Sequence, residues 1–447
     1  MRAGLLARLL FNRAILCLAL LFCGCAVRQV PDSGATALGL VNRTGLNLPR
    51  QPIQSDQPVL PPGLNLDSPL SCEDAAAIAV WNNRRLYADL GALGVARADL
   101  LEAGLLRNPR FDMLFPVGAK PLEILVNFPI EMMIQRPRRL AFAQAAYDQL
   151  AESLIQNGLN TIRDACFAHA DLVQATARLD IAERAADLRM QILQITEARL
   201  RAGDIGELET VLARSDVGNA QEQLARFRHD LALAQERFRL ALGLSVARSE
   251  VHVGSSPAPT DPPPALEALL EKAMAARPDL RAIELSIATA AKRARWERSR
   301  VLWLTAQLSS KGIGTHGVLT GPGLSAEIPI FNHNQGLVAR AEADVEIAAR
   351  QYLAMKQTVA FEVAEARQLL LQAQELLRRT REQVLEPLQR GTTLAEGQYK
   401  KGDVAYLFVL EQTRGLIDAE LRVVDFEAGV RRAQAQLERS VGTEYRN

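Results

Sequence analysis

Apolar residues alternate with polar ones in four short stretches and recur at helical spacing almost everywhere else. Phe111, Met113 and Phe115 alternate with Asp112 and Leu114, and Ile124, Val126, Phe128 and Ile130 alternate with Glu123, Leu125 and Asn127. Further on, Leu302, Leu304, Ala306 and Leu308 alternate with Trp303, Thr305, Gln307 and Ser309, and Leu324, Ala326, Ile328 and Ile330 with Ser325 and Glu327. A period of two predicts strands. The turn at 116–119 and the glycine-rich stretch 311–322 make them two β-hairpins, over 110–131 and 301–331. Helices are expected over 71–106, 138–200, 207–242, 266–300, 335–399 and 404–441. Leu172, Leu179, Ala186, Leu193 and Leu200 recur every seven residues, as do Val363, Leu370, Leu377 and Val384. Such heptads mark coiled-coil seams. The helix over 138–200 would be about 95 Å long. Ser71 with Asp74 suggests a capping box, Gly203 a stop and Pro387 a kink.

The plan occurs twice. Phe128-Pro129-Ile130 precedes Arg201-Ala202-Gly203-Asp204, and Ile328-Pro329-Ile330 precedes Lys400-Lys401-Gly402-Asp403 at nearly the same distance. After each Gly-Asp a second helical run returns. The chain therefore divides into a leader over 1–24, a tether over 25–70, a first repeat over 71–242, a linker over 243–264 and a second repeat over 265–447. The fold class is mainly α with a small β part, built from duplicated long antiparallel helical hairpins.

Four strands cannot close a barrel, and open sheet edges are not tolerated in lipid. The strands have one apolar and one polar face and roughly the 10-residue length of outer-membrane strands. Closure therefore needs several copies; three chains would supply twelve strands, with the helices continuing as a cylinder.

The leader carries Arg2, Arg8 and Arg13 before the apolar stretch 14–22. That stretch is too short to remain as a membrane anchor. It ends Leu21-Phe22-Cys23-Gly24-Cys25-Ala26, which resembles a bacterial lipobox. The resemblance implies cleavage before Cys25, acylation of Cys25 as the lipidation site, and an outer-membrane destination. More than one acyl chain gives stable anchoring. Cys72 and Cys166 lie in helices far apart in sequence and read as two free buried thiols, although the periplasm permits a disulfide.

The formal net charge is +1, and removal of the leader's arginines leaves the chain slightly negative. That balance argues against a nucleic-acid partner. His169, His229, His252, His316 and His333 share no ligand spacing. No nucleophile–base pattern and no phosphate-binding glycine loop occurs. Neither an enzyme nor a cofactor is expected.

From about residue 68 to 445 the chain resembles the TolC-like outer membrane efflux family. The carriers are the duplicated Pro-Ile strand exits and the helix entries Asn83-Arg84-Arg85-Leu86 and Arg277-Pro278-Asp279-Leu280. The turn Tyr399-Lys400-Lys401-Gly402-Asp403-Val404 with Leu410-Glu411 completes them. The resemblance implies a trimer with a twelve-stranded barrel and an α-helical barrel. Its partners would be a periplasmic adaptor and, through it, an inner-membrane pump. It implies adaptor contact at Gly203, Asp204, Gly402 and Asp403, and a tip latch from Glu209 and Tyr399. The two pore-facing acid positions are occupied here by Phe408 and Glu411, and an expected latch arginine is Val404. Arg84 and Trp303 stand where the family often has proline. The segment from Pro329 to Gly336 is similar to one common in the heavy-metal cation branch. A lipid-anchored coiled-coil scaffold or an adaptor without a channel remains the alternative.

Overall fold

The computed structural model describes residues 59–117, 121–246, 250–254, 257–301, 303–312, 317–401 and 403–443. In chain order the elements are α1 (Cys72–Asn82), α2 (Arg84–Gly104), β1 (Arg110–Leu114), β2 (Glu123–Pro129), α3 (Ile130–Ala202), α4 (Glu207–Ala241), α5 (Leu266–Ala276), α6 (Pro278–Ser299), β3 (Trp303–Gly312), β4 (Val318–Glu327), α7 (Gln335–Thr380), a π-helical turn (Arg381–Leu385), α8 (Glu386–Lys401) and α9 (Tyr406–Val441). The leader and Cys25 lie outside the described residues. Among those residues no helix is long and apolar enough to cross a membrane.

Two compact units form. The first takes Gly91–Ala151 and Ile283–Arg350, and so holds the sheet with the helix segments nearest to it. Its four strands run in the order β1-β2-β3-β4, every neighbouring pair antiparallel. The first hairpin is shorter than its alternation suggests, with strands of 5 and 7 residues against 10 and 10 in the second. The second hairpin extends into the glycine-rich segment, because strand pairing continues to Gly312↔Val318. Ile130 opens α3 instead of ending β2, so this helix starts eight residues before the expected Arg138. Pro137 is tolerated inside it, within the first two turns.

The second unit contains the described residues up to Leu90, Glu152–Ala282 and Gln351 onward. The single helices expected over 71–106 and 266–300 are each interrupted. Asn83 is extended, and its side chain accepts hydrogen bonds from the backbone N–H groups of Arg85 and Leu86, capping a new helix. Arg277 is extended because the ring of Pro278 disfavours helical backbone before it. Each returning helix packs its terminal glycine on one of these breaks. Gly243 has φ +73°, and a Cβ there would lie 2.3 Å from the Asn82 carbonyl oxygen. Gly442 has φ +84°, and its Cβ would meet the Arg277 Cα at 3.1 Å. Gly243→Ala combines left-handed strain with a backbone clash. It should lower stability by more than about 1 kcal/mol, read as a lower denaturant midpoint.

Arg277 is fully buried and organises the second break. Its Nε donates to Asp279 Oδ1 at 2.9 Å, and its Nη1 donates to Glu362 Oε2 at 2.7 Å and to the Ser440 carbonyl at 3.2 Å. Arg439 reaches the same Glu362 oxygen at 2.6 Å. Burial works to lower the Arg277 pKa, but its bonds and ion pairs with Asp279 and Glu362 outweigh burial and raise it.

The second heptad seam is seen directly: Val363, Leu370 and Leu377 are buried with Val430 and Leu437. The first is displaced. Leu172 is buried against Phe238, while further along Ile181, Ala185 and Ile192 take the place of Leu179, Ala186 and Leu193. The reason is that α3 meets two neighbours. It packs on α4 near Leu172 and on α9 where Ile181 and Ala185 touch Ile417. The π turn ends at Leu385, two residues before Pro387, whose missing N–H cannot bond to the preceding turn. The helix widens by one turn there and continues.

Cys72 and Cys166 are joined in a disulfide with Cα atoms 5.2 Å apart, which corrects the expectation of free thiols. Packing of α1 on α3 brings together residues 94 apart in sequence. Replacing both cysteines with serine should cost about 2–4 kcal/mol. The check is thermal unfolding followed by circular dichroism, with the native protein falling to the variant's midpoint under reductant. The last dozen residues of the tether are also fixed. Leu60, Leu64 and Leu66 pack on the Leu172–Phe238 cluster, and Leu70 forms a parallel bridge to Val253. His169 is buried, sits edge-on to Phe238 and bonds to the Leu70 carbonyl at 2.9 Å. Its role is packing.

Candidate functional site

The sheet has two chemically distinct faces. Directly paired residues share a face, so Phe111, Val126 and Leu308 align, as do Phe128 with Ala306 and Ala306 with Leu324. Phe111, Met113, Leu308 and Leu324 on this face are exposed. The opposite face carries Asp112, Glu123, Asn127, Gln307, Ser309 and Lys311, with Leu114 and Leu125 among them. Lys311 Nζ pairs with Glu123 Oε1 at 2.7 Å, and Asn127 donates to Asp112 at 2.8 Å. Among the described residues β1 and β4 form the edges of the sheet, with no further strand paired to either. An apolar face of exposed large side chains and two unpaired edges fit a segment of a larger barrel in lipid.

The second candidate region lies where each long hairpin turns. Gly203 has φ +82°. Its N–H donates to the Leu200 carbonyl, and the Asp204 N–H donates to Arg199, both at 3.0 Å. The second copy repeats the wider bond, from the Asp403 N–H to the Gln398 carbonyl at 3.0 Å. Gly402 lies outside the described residues. Asp204 and Asp403 are exposed. Leu208 and Leu407, five residues after the respective glycines, are 71% and 61% exposed, so both turns present apolar side chains to solvent.

Tyr399 is buried among Ile192, Ala213, Ala395, Val409 and Leu410, with Val404 packed against this cluster. Val404 thus serves as core where the family resemblance leads one to expect a charge. Glu209 is half-buried, Phe408 is 48% exposed and Glu411 is exposed. Sequence reading missed Arg199. Its guanidinium carbon lies 5.2 Å from the Tyr399 ring centre. Contact with Tyr399, then the charges of Asp204 and Glu209, push its pKa up. Arg199 therefore stands in the field of both proposed latch residues. A second tie joins Arg414 on α9 to the buried carboxylate of Asp216 on α4. The spacing of Asp216 and Arg414 after their turn glycines, 13 and 12 residues, is the one signal that could have revealed it. Among the described residues no group of three or more His, Cys, Asp or Glu side chains is arranged to hold a metal ion.

Residues 269–443 match the family model for outer membrane efflux proteins. The chain is also 24% identical over 381 residues to the cobalt-zinc-cadmium resistance protein CzcC of Cupriavidus metallidurans, a match covering 84% of this chain and 90% of CzcC. The second repeat thus carries the sequence pattern of outer membrane efflux proteins. The chain is further 27% identical over 250 residues to the probable outer membrane lipoprotein SilC of Salmonella typhimurium, covering 53% of each. Its fold matches crystal structures of CusC with a TM-score of 0.71 at 20% identity, covering 83% of this chain and 92% of that one. It matches VceC of Vibrio cholerae with a TM-score of 0.69 at 15% identity, covering 84% and 96%. The family and fold read from the sequence are borne out.

Proposed function

We propose that this outer membrane efflux protein is the passive exit duct of a tripartite efflux system, working as a homotrimer in the outer membrane. The observation that carries the reading is the amphipathic four-stranded sheet with two open edges, on a chain whose family resides in that membrane. Three copies would pair β1 of one with β4 of the next and close twelve strands. Cys25 would carry the lipid anchor, in keeping with the lipoprotein SilC.

The exposed turns, with Gly203, Asp204, Gly402, Asp403, Leu208 and Leu407, would meet the periplasmic adaptor, and a pump beyond it would supply energy. Three copies of Glu411 would form an acidic ring, with Phe408 narrowing the pore beside it. Clustered carboxylates attract cations and repel one another. Arg199 with Tyr399, and Arg414 with Asp216, join the two hairpins and would hold the duct shut until the adaptor separates them. The cargo class favoured is a divalent transition-metal cation, because the relative matched along most of the chain is a cobalt-zinc-cadmium resistance protein.

Conductance across planar bilayers tests the duct. The native trimer should give discrete, cation-selective openings, and their absence would leave only a scaffold. Glu411→Gln should lower cation selectivity several-fold at low salt and little at high salt, where ring charges are screened. Asp216→Asn should raise the open fraction without changing selectivity. Cargo is tested by deletion: lost tolerance to zinc, cobalt or cadmium supports metal export, and unchanged tolerance rejects it.

A further inference from the structure

A groove of about 1060 Å³ lies within the sheet-bearing unit, bordered by α2, the start of α3 and the end of α6. It sits at the helical end of the sheet. Asn108 lines it just before β1, Glu131 just after β2, and Trp303 opens β3.

Two polar atoms in its wall are buried without a partner among the described residues. One is Glu131 Oε2, on a side chain only 5% exposed. The other is the indole nitrogen of Trp296. A buried carboxylate oxygen and a buried N–H left unbonded each carry a desolvation cost, and each fits a specific complement. The carboxylate lacks a donor, best a cation. The indole lacks an acceptor.

The arginines lining the groove do not supply the cation. Arg139 is spent on the end of α2, its Nε donating to the Ala103 carbonyl at 2.7 Å and its Nη2 to Leu105. Arg300 is held by Glu297 at 3.0 Å and lies over the Trp296 ring. Arg107 is exposed at the rim. The remaining wall is apolar and aromatic, with Trp296 stacked on Phe142 at 5.8 Å.

The groove therefore asks for a ligand with an ammonium group, an acceptor oxygen close to it and an apolar body. Tryptophan and tyrosine flanked by basic side chains are characteristic of the membrane–water boundary. A groove at the end of a bilayer-crossing sheet would lie at that boundary. We infer that this groove binds the headgroup of an aminophospholipid, its ammonium on Glu131, an ester or phosphate oxygen on the Trp296 N–H, and its phosphate facing Arg107. The inference rests on the sheet lying in lipid but not on transport.

The test is native mass spectrometry of the intact full-length protein released from detergent, titrated with phosphatidylethanolamine or phosphatidylglycerol. The native protein should retain phosphatidylethanolamine in preference to phosphatidylglycerol, which lacks the amine. Glu131→Gln keeps the side-chain shape and should weaken phosphatidylethanolamine binding roughly tenfold or more, the scale of a charge-assisted bond. Trp296→Phe keeps the stack on Phe142, removes only the N–H, and should weaken binding by a smaller factor. Equal binding of the two lipids, unchanged binding in Glu131→Gln, or binding of dodecylamine without phosphatidylethanolamine would each overturn the inference. Bilayer conductance of the same variants keeps this apart from the duct reading. Native-like openings with no lipid preference would sink the lipid site alone, and loss of openings in the native protein would sink the duct.

Discussion

Arg277→Met should destabilise the protein by about 3–5 kcal/mol, because it leaves the half-buried carboxylate of Asp279 without its cation and Glu362 with Arg439 alone. The guanidinium serves three clients at once: Asp279 at the start of α6, Glu362 on α7 and the Ser440 carbonyl at the end of α9. No lysine geometry reproduces that fork, so Arg277→Lys should recover only part of the loss. The measurement is the denaturant midpoint of helical circular dichroism. An Asp279→Asn change made together with Arg277→Met should be less harmful than the single changes imply, since it removes the orphaned charge. Strict additivity of the two would show that they act independently.

The second large effect comes from the sheet. Val126→Arg places a charge at the centre of the apolar face, paired with Phe111 and beside Leu308. In a bilayer that costs about 2–4 kcal/mol per chain, and a trimer would carry the cost three times. The expected result is loss of the assembled protein from the outer-membrane fraction and of a heat-resistant trimer on gels. Gln307→Arg, one strand over and on the other face, should assemble normally and shift ion selectivity towards anions. If both variants assemble equally well, the sheet is not a bilayer wall.

Most of this architecture was legible in the chain. The alternation around Val126 and Leu308 gave the strands, and the seam through Val363 and Leu370 is buried as its spacing requires. What escaped has a common cause, which is contact between segments distant in sequence. The close packing of Gly243 and Gly442, from the returning helices, onto the breaks at Asn83 and Arg277 has no local signal. The first seam shifted from Leu179 to Ile181 because a second neighbour claims α3. Cys72 and Cys166 looked unrelated until α1 was laid on α3. At the turns, glycine and the following aspartate were readable from local rules. Arg199 and the Arg414–Asp216 pair were not, since each joins the two copies of the repeat. An internal duplication reveals what is alike in its halves and conceals what binds one half to the other.

The Cys72–Cys166 bond has a consequence for biogenesis. It encloses β1 and β2 in a covalent ring, while β3 and β4 lie outside it. A chain oxidised early must deliver its first two strands to the bilayer as a closed bight, and its last two on an open thread. The timing of thiol oxidation relative to membrane insertion would therefore set the order in which the wall is laid down.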